Sequence, residues 1–349
     1  MAQSSAVTCL RRSALSLAVL ALIGAAAATG LSRAADAAPA TLTLYSAQHE
    51  QTVDLLIEDF RKETGIQVRV HTGEGPEVAN QLLEEGADSP ADVYFTENSP
   101  ELMLLEEKGL LAPVAHSTLA QVPARYSSPQ GVWVGVLARE NVLAYNTSMI
   151  KPEQLPASVL DLADPAWKGK VAVAPSDGDF LPLVSAVEAM KGKDGALQWL
   201  KGLKANAQIF DDDEGVVAAV NRGAVATGII NNYYWARLTV EVGEAAVNSA
   251  VYHFGHGDVG ALVNVSGAGV LKTAPYPEAA QRFLAYLVSE RAQTLLAKSR
   301  VNFEYPLRPG VKPDPMLKPF DELQPPALDF GKLGDDGDAG SLLQDAGLL

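Results

Sequence analysis

Residues 225–235, VATGIINNYYW, join an apolar run to two asparagines, two tyrosines and a tryptophan. The run from Val225 to Ile230 is typical of a buried strand, which the two asparagines interrupt. Tyr233 and Tyr234 therefore follow the carboxyl end of a strand, where open α/β sheets bind ligands. A free phenol has a pKa of about 10, so it ionises at neutral pH only beside a strong cation. The adjacent phenols indicate either ordinary surface packing or a site for a hard trivalent metal such as ferric iron.

Strand and helix signals alternate on both sides of this stretch. Short apolar or alternating runs predict strands at 41–45, 66–70, 92–95, 170–174, 225–230 and 261–265. Apolar residues at helical spacing predict helices at 53–60, 76–85, 99–109, 180–190, 196–203, 216–220 and 278–297, and a short final helix in the tail. This order predicts two α/β units, each with a mostly parallel sheet covered by helices.

The first 38 residues have the pattern of a secretory signal peptide. Arg11 and Arg12 precede an apolar run over 14–28, and small residues follow, with cleavage expected near Ala38. The sequence after the arginine pair matches a twin-arginine signal only in part, which favours the Sec route. The single cysteine, Cys9, lies in the segment that would be removed. We therefore expect an exported, cysteine-free mature protein in the periplasm.

Charge and motif content exclude several classes of function. The formal net charge of −15 disfavours nucleic acid and anionic membranes as partners. After the leader, no apolar stretch approaches the roughly 20 residues of a membrane-spanning helix. G-x-S-x-G and H-E-x-x-H motifs are also absent, so we expect a binding protein rather than an enzyme.

Polar residues follow four of the predicted strands. His49 follows the first strand, Glu97 the third, residues 176–179 the strand at 170–174, and residues 231–234 the strand at 225–230. Two such units that face each other across a cleft would form a hinged binding protein. An imidazole, a carboxylate and two phenolates suit a hard or borderline metal, although His49 and Glu97 also fit capping and turn roles. Spacing alone does not name the metal.

Several motifs together resemble those of periplasmic ferric-binding proteins, the substrate-binding subunits of ferric ABC transporters (bacterial transferrins). They are Tyr45–His49 (YSAQH), Pro90–Glu97 (PADVYFTE), Trp167–Lys170 (WKGK), Ile230–Trp235 (INNYYW), Asp258–Leu262 (DVGAL) and Tyr305–Arg308 (YPLR). The resemblance covers nearly all of the chain after the leader. It implies that His49, Glu97, Tyr233 and Tyr234 bind Fe3+.

The resemblance also implies a two-lobed periplasmic binding protein fold of type II character, with a central cleft and two hinge crossover strands. The first lobe would comprise residues 39–140 and 264–310, and the second residues 141–263 and 311–349. Iron would close the hinge, and a monomeric closed protein would deliver it to an inner-membrane ABC permease and its ATPase. A binding protein of the same fold for a polyamine, sulfate or another small solute is the alternative.

The chain departs from its relatives where they hold a phosphate on the iron. Their Ser-Gly-Ala turn is replaced by Asp177, Gly178 and Asp179, and Asp213 replaces an asparagine, while Asn231 is retained. Ionised carboxylates accept hydrogen bonds and do not donate them, so we expect no bound phosphate. Asp177, or a water or carbonate beside it, would take the place of the anion. Alternatively, Asp177 and Asp179 cap the next helix.

One arginine is a candidate for the surroundings of the metal. Arg139 matches an arginine that lies near the site in the family, where it would pair with Glu97 or with an anion. A surface arginine without a role in the site is the alternative.

Overall fold

Strands and helices alternate along the chain in a computed structural model, which describes residues 41–328, residue 333 and residues 337–349. The strands are β1 (Thr41–Ala47), β2 (Gln67–Thr72), β3 (Val93–Thr96), β4 (Trp133–Asn146), β5 (Val171–Val173), β6 (Ala207–Ile209), β7 (Thr227–Asn231), β8 (Ser249–Tyr252), β9 (Val263–Val270) and β10 (Tyr305–Pro306). The helices are α1 (Glu50–Thr64), α2 (Gly75–Glu85), α3 (Ser99–Glu107), α4 (His116–Leu119), α5 (Leu181–Asn206), α6 (Asp213–Asn221), α7 (Asn232–Val242), α8 (Pro277–Leu287), α9 (Glu290–Lys298) and α10 (Gly337–Ala346). The predicted signal peptide, with Cys9, Arg11 and Arg12, lies outside the described residues.

The strands are ordered β2-β1-β3-β9-β4-β7-β5-β6, and β8 and β10 pair with β4. β1, β2 and β3 run parallel to one another at one end, and β5, β6 and β7 run parallel at the other. Between these groups, β9 and β4 run antiparallel to their neighbours. The two parallel groups carry the polar residues at their carboxyl ends.

β4 links the two parallel groups, because its two halves pair with different partners. Its first half pairs with β9 up to Glu140, and its second half pairs with β7 from Asn141 onward. By their contacts, the described residues from Thr41 onward fall in one compact unit. The lobe boundaries given above therefore stay a prediction, although the change of partners falls at their first boundary.

Hydrophobic patterning and chain-breaking residues explain the local structure. α1 buries Val53, Leu56 and Phe60 at helical spacing and ends at Gly65, which adopts the left-handed conformation. β7 is buried along its whole length, as expected for a strand inside a sheet. Across the described residues, no helix combines the length and the apolar character needed to cross a bilayer.

Two of the predicted elements have different limits, and a third prediction is confirmed. The single helix expected over 278–297 is two helices, α8 and α9, because Ser289 accepts the backbone N–H of Ala292 and starts a new helix. The two helices expected over 180–203 are confirmed: they are the two parts of α5, which are separated by a non-helical residue, Gly192. The strand expected from residue 261 begins at Val263, because a 3₁₀ turn occupies the residues before it.

Candidate functional site

The four side chains predicted to bind the metal lie together. The rings of Tyr233 and Tyr234 are 4.2 Å apart between centroids, and the His49 ring lies 5.1 Å from Tyr233 and 6.5 Å from Tyr234. Nδ1 of His49 is 3.2 Å from Oε1 of Glu97. These residues are separated by up to 185 positions in sequence, so the fold has gathered the imidazole, the carboxylate and both phenols into one cluster.

Each of these residues follows a strand of one of the two parallel groups. His49 follows β1 and occupies the N-cap position of α1, but its side chain makes no capping hydrogen bond. Glu97 follows β3, and the tyrosines lie in the first turn of α7, directly after β7. The expectation that the asparagines end the strand is confirmed, since α7 begins at Asn232.

Both phenols donate hydrogen bonds to one carboxylate oxygen. Tyr233 Oη donates a short hydrogen bond to Oδ2 of Asp179, and Tyr234 Oη donates to the same atom at 3.3 Å. Burial and the charge of Asp179 raise the pKa of both phenols well above 10. The phenols are therefore protonated at neutral pH, and only a strongly charged cation could displace their protons.

Asp179 is ionised because its environment favours the carboxylate. Burial alone would raise the pKa of Asp179, but the Arg139 charge and the hydrogen bond from Tyr233 lower it below its usual value. Nη2 of Arg139 lies 3.0 Å from Oδ1 of Asp179, and both side chains are buried. Arg139 and Asp179 therefore form a buried ion pair through Oδ1, and Oδ2 of Asp179 accepts the hydrogen bonds of the phenols.

His49 is a neutral imidazole in this environment. Burial, and next the charge of Arg237, lower the pKa of His49 to about 3. Its Nε2 atom is buried and has no hydrogen-bond partner among the described residues. A buried nitrogen without a partner is costly in an ordinary structural histidine but suits a metal ligand.

Glu97 lies in surroundings that disfavour its charge. Burial, and next the charge of Asp179, raise the pKa of Glu97 well above its usual value, against the opposing effect of Arg139. A cation beside it would reverse this effect, because it stabilises the carboxylate.

Arg139 is part of the site and is not a surface residue. Its side chain is 1% exposed, and it donates short hydrogen bonds to the backbone oxygen of Glu97 and to Oδ1 of Asn98. The alternative of a surface arginine is therefore wrong. The carboxylate that pairs with Arg139 is that of Asp179. Arg139 contacts Glu97 only through the hydrogen bond to its backbone oxygen.

The other predicted residues lie in the acidic turn at 177–179 or are hydrogen bonded to it. Asp177 accepts the backbone N–H groups of Asp179 and Asp213, each at 3.0 Å. Asp213 in turn accepts the backbone N–H of Asn231 at 3.2 Å, and Asn231 also hydrogen bonds to the side chain of Asp179. Gly178 lines a polar cavity beside the phenols, which is described below, and has open space where a Cβ would lie.

These contacts change the role assigned to Asp177. Its carboxylate links the turn at 177–179 to the start of α6, whereas the carboxylate that accepts the phenol hydrogen bonds is that of Asp179. The capping alternative is wrong for α5, whose N-cap residue is Phe180 with no side-chain cap. Burial, and next the charge of Asp179, raise the pKa of Asp177 to about 6.

Two residues of the site are absent from the sequence-based ligand set. Asp179 is one of them. The sequence shows that it belongs to the acidic turn at 177–179, but not that its side chain is directed at the phenols. The guanidinium of Arg237 lies 4.5 Å from the ring centroid of Tyr233. Arg237 follows Tyr233 by four residues in α7, and this spacing places the side chains of Tyr233 and Arg237 on the same face of the helix.

A polar cavity of about 370 Å³ opens beside these side chains. Its lining includes His49, Glu97, Asp177, Asp179 and Tyr234. Over the described ranges, no three His, Cys, Asp or Glu side chains are arranged to hold a metal by themselves. A metal in this cavity would therefore depend on the phenols.

Comparison with known proteins defines the class. The family model of bacterial extracellular solute-binding proteins matches residues 56–323. The chain belongs to this family, and the predicted fold class is confirmed.

Individual relatives within this family are named for ferric iron. The Fe(3+)-binding periplasmic protein of Serratia marcescens is 38% identical over 96% of this chain and 98% of its own length. The major ferric iron-binding protein of Neisseria meningitidis serogroup B is 35% identical over 90% of this chain and 95% of its own.

Solved structures agree with this grouping. Iron-bound HitA of Pseudomonas aeruginosa is 44% identical, with a TM-score of 0.84 over 88% of this chain and 100% of that one. A Trichodesmium protein in complex with iron and citrate is 33% identical, with a TM-score of 0.76 over 88% of this chain and 99% of that one. The resemblance to ferric-binding proteins is confirmed.

Proposed function

We propose that this protein captures ferric iron between His49, Glu97, Tyr233 and Tyr234 and delivers it to an ABC permease. The observation that carries the proposal is the convergence of two protonated phenols on a neutral imidazole, whose buried Nε2 atom has no hydrogen-bond partner in the part of the chain that the structure describes. The relatives named for ferric iron support the choice of metal.

The donor set suits Fe3+ better than softer or less charged metals. One carboxylate and two phenolates match its triple charge, and hard oxygen donors outnumber the single nitrogen. Iron would replace the two phenol protons, and its charge would offset the burial that now disfavours ionisation. A polyamine or sulfate would not explain why the phenols and His49 converge.

Export and delivery complete the proposed function. Residues 1–38 would direct the chain through the Sec pathway to the periplasm, where the mature monomer would bind iron. Loading would close the cleft, and an inner-membrane permease with its ATPase would recognise the closed form. The periplasmic location in the name of the Serratia marcescens relative supports the proposed location.

The test is the visible absorption of phenolate-bound iron. Purified iron-free protein titrated with a ferric chelate should develop a red to orange charge-transfer band at one equivalent. Tyr233→Phe and Tyr234→Phe should each lose most of the band and much of the affinity, because each removes one phenolate. Tyr276→Phe is the matched control, since Tyr276 is 47% exposed and lies outside the site.

A parent protein without a visible band would refute the proposal. So would a double phenylalanine variant that binds ferric iron as tightly as the parent.

A further inference from the structure

We propose that the segment Val301–Glu304 positions both halves of the ligand set, and that Asn232 and Thr52 are the residues through which it acts. This inference rests on the proposed ferric function and deepens it, because it names residues outside the ligand set that fix where the ligands lie. Its basis is that one short segment is hydrogen bonded both to the helix that carries the phenols and to the helix that begins after His49.

The main chain of this segment holds the helix of the phenols. Asn232, the first residue of α7, donates through Nδ2 to the backbone oxygen of Phe303 at 3.1 Å. Nε of Arg237 donates to the backbone oxygen of Val301 at 3.2 Å. Oδ1 of Asn232 accepts the backbone N–H of Glu140 at 2.8 Å, and Asn232 is buried. The residue before the first phenol is therefore fixed by two chain segments that are distant in sequence.

Side chains of the same segment hold the surroundings of His49. Nδ2 of Asn302 donates to Oγ1 of Thr52 at 2.9 Å, and both residues are completely buried. The backbone N–H of Thr52 donates to the backbone oxygen of His49 at 3.0 Å. The N–H of His49 donates to Oε1 of Gln48 at 2.7 Å, and Nε2 of Gln48 lies 3.5 Å from Oε1 of Glu304. Both backbone groups of His49 are therefore connected to the segment through one neighbouring residue.

The backbone of the segment has an uncommon conformation. Phe303 has a φ of 56°, in the left-handed region that a bulky L residue rarely adopts. Its side chain is buried in the same apolar cluster as Tyr233 and Tyr234. Such a conformation persists only where the surrounding contacts enforce it, and residues held in this way are concentrated at functional sites. Phe303 therefore packs beside the phenols while its backbone oxygen accepts the hydrogen bond from Asn232.

The ligands need a link of this kind because they come from different parts of the sheet. His49 follows β1 in one parallel group, and the phenols follow β7 in the other. Side chains of a binding site have to be held within about 0.5 Å of the productive geometry by the contacts around them. A segment that is bonded to both groups sets the distance between the imidazole and the phenols. Loss of such supporting contacts typically lowers metal affinity about 10- to 100-fold.

The experiment combines near-isosteric variants with double-mutant cycles. Thr52→Val removes the hydroxyl that accepts from Asn302 and keeps the shape of the side chain, whereas Thr52→Ser keeps the hydroxyl. Thr294→Val is the matched control, since Thr294 is a threonine of α9 outside the segment. Iron affinity is measured by competition with nitrilotriacetate, and the visible band is recorded. Urea unfolding of the iron-free protein reports stability separately.

Thr52→Val should bind iron about tenfold more weakly than the parent, and Thr52→Ser should restore the parental affinity. In a His49→Ala background, Thr52→Val should have no further effect, because its contribution passes through His49. Asn232→Ala should weaken binding by about 10- to 100-fold and shift the visible band, since it displaces the phenols. That loss should become smaller in a Tyr233→Phe background. Thr294→Val should match the parent.

A Thr52→Val variant that lowers the stability of the iron-free protein but binds iron with parental affinity would overturn the proposal, because the contact would then be structural only. Equal losses of affinity for Thr52→Val in the parent and in the His49→Ala background would overturn it as well. If Asn232→Ala does not fold, the Thr52 variants decide the question. These results leave the ferric function standing, whereas a parent without a visible band would refute that function and this proposal with it.

Discussion

Iron binding should release protons in a number that the site determines. Tyr233 and Tyr234 have pKa values raised well above 10, so both are protonated before loading and both lose a proton to bind iron. Glu97, whose pKa is also raised, contributes up to one more, whereas His49 is neutral and Asp179 is already ionised. We therefore expect about two to three protons per iron near neutral pH.

The magnitude follows from linkage. Each released proton lowers the apparent iron affinity about tenfold, or about 1.4 kcal/mol, for each pH unit of acidification. The sign is fixed, because protons compete with iron for the same phenol oxygens. A fall of one unit should weaken binding at least about 100-fold if both tyrosines are ligands.

The assay is direct. Protein in weak buffer with a pH indicator is loaded from a ferric nitrilotriacetate stock, and a protein-free blank removes the protons that the chelate itself takes up. Tyr234→Phe, loaded to saturation, should release one proton fewer, and Tyr276→Phe should match the parent.

Two results would refute the reasoning. Release of less than one proton by the parent would mean that the phenols do not ionise. An unchanged count for Tyr234→Phe would mean that this phenol is not a ligand.

Four further predictions concern stability and motion. Arg139→Gln should lower the free energy of unfolding by about 3–5 kcal/mol in urea titrations, because it leaves the buried Asp179 carboxylate unpaired, and adding Asp179→Asn should recover part of the loss. Gly135→Ala should be destabilising by more than about 1 kcal/mol, since its Cβ would lie 1.9 Å from the backbone oxygen of Tyr126. Gly340→Ala should instead be stabilising by about 0.5–1 kcal/mol in the same urea titrations, because Gly340 lies inside α10 and the added Cβ would meet no described atom within 4 Å outside its own stretch of helix. Small-angle scattering should show a smaller radius of gyration once iron is loaded, and an unchanged radius with metal bound would contradict hinge closure.

The sequence predicted the elements that carry the ligands, because each has a strong local signal. β1, β3 and β7 are short apolar runs with a clear end, and helices follow them directly. Since the carboxyl ends of parallel strands hold ligands, the positions of His49, Glu97 and the tyrosines could be inferred before their distances were known.

The long strand β4 was not predicted, and the reason is chemical. Arg139, Glu140 and Asn141 lie in its centre and look like loop residues, but all three are buried. Sequence patterning assigns charged residues to the surface. Only the fold reveals that Arg139 pairs with Asp179 and that His253 pairs with Glu140 at 2.5 Å.

The sequence also could not predict which aspartate of the acidic turn at 177–179 directs its side chain at the phenols. Asp177 and Asp179 are two residues apart and identical in chemistry, so composition cannot choose between them. In the structure, Asp177 accepts backbone N–H groups and Asp179 accepts the phenols.

The most direct test of the central claim is anomalous X-ray diffraction at the iron edge from crystals of the loaded protein. We expect one strong peak bonded to His49, Glu97, Tyr233 and Tyr234. A peak elsewhere, or one without contact to either phenol oxygen, would contradict it.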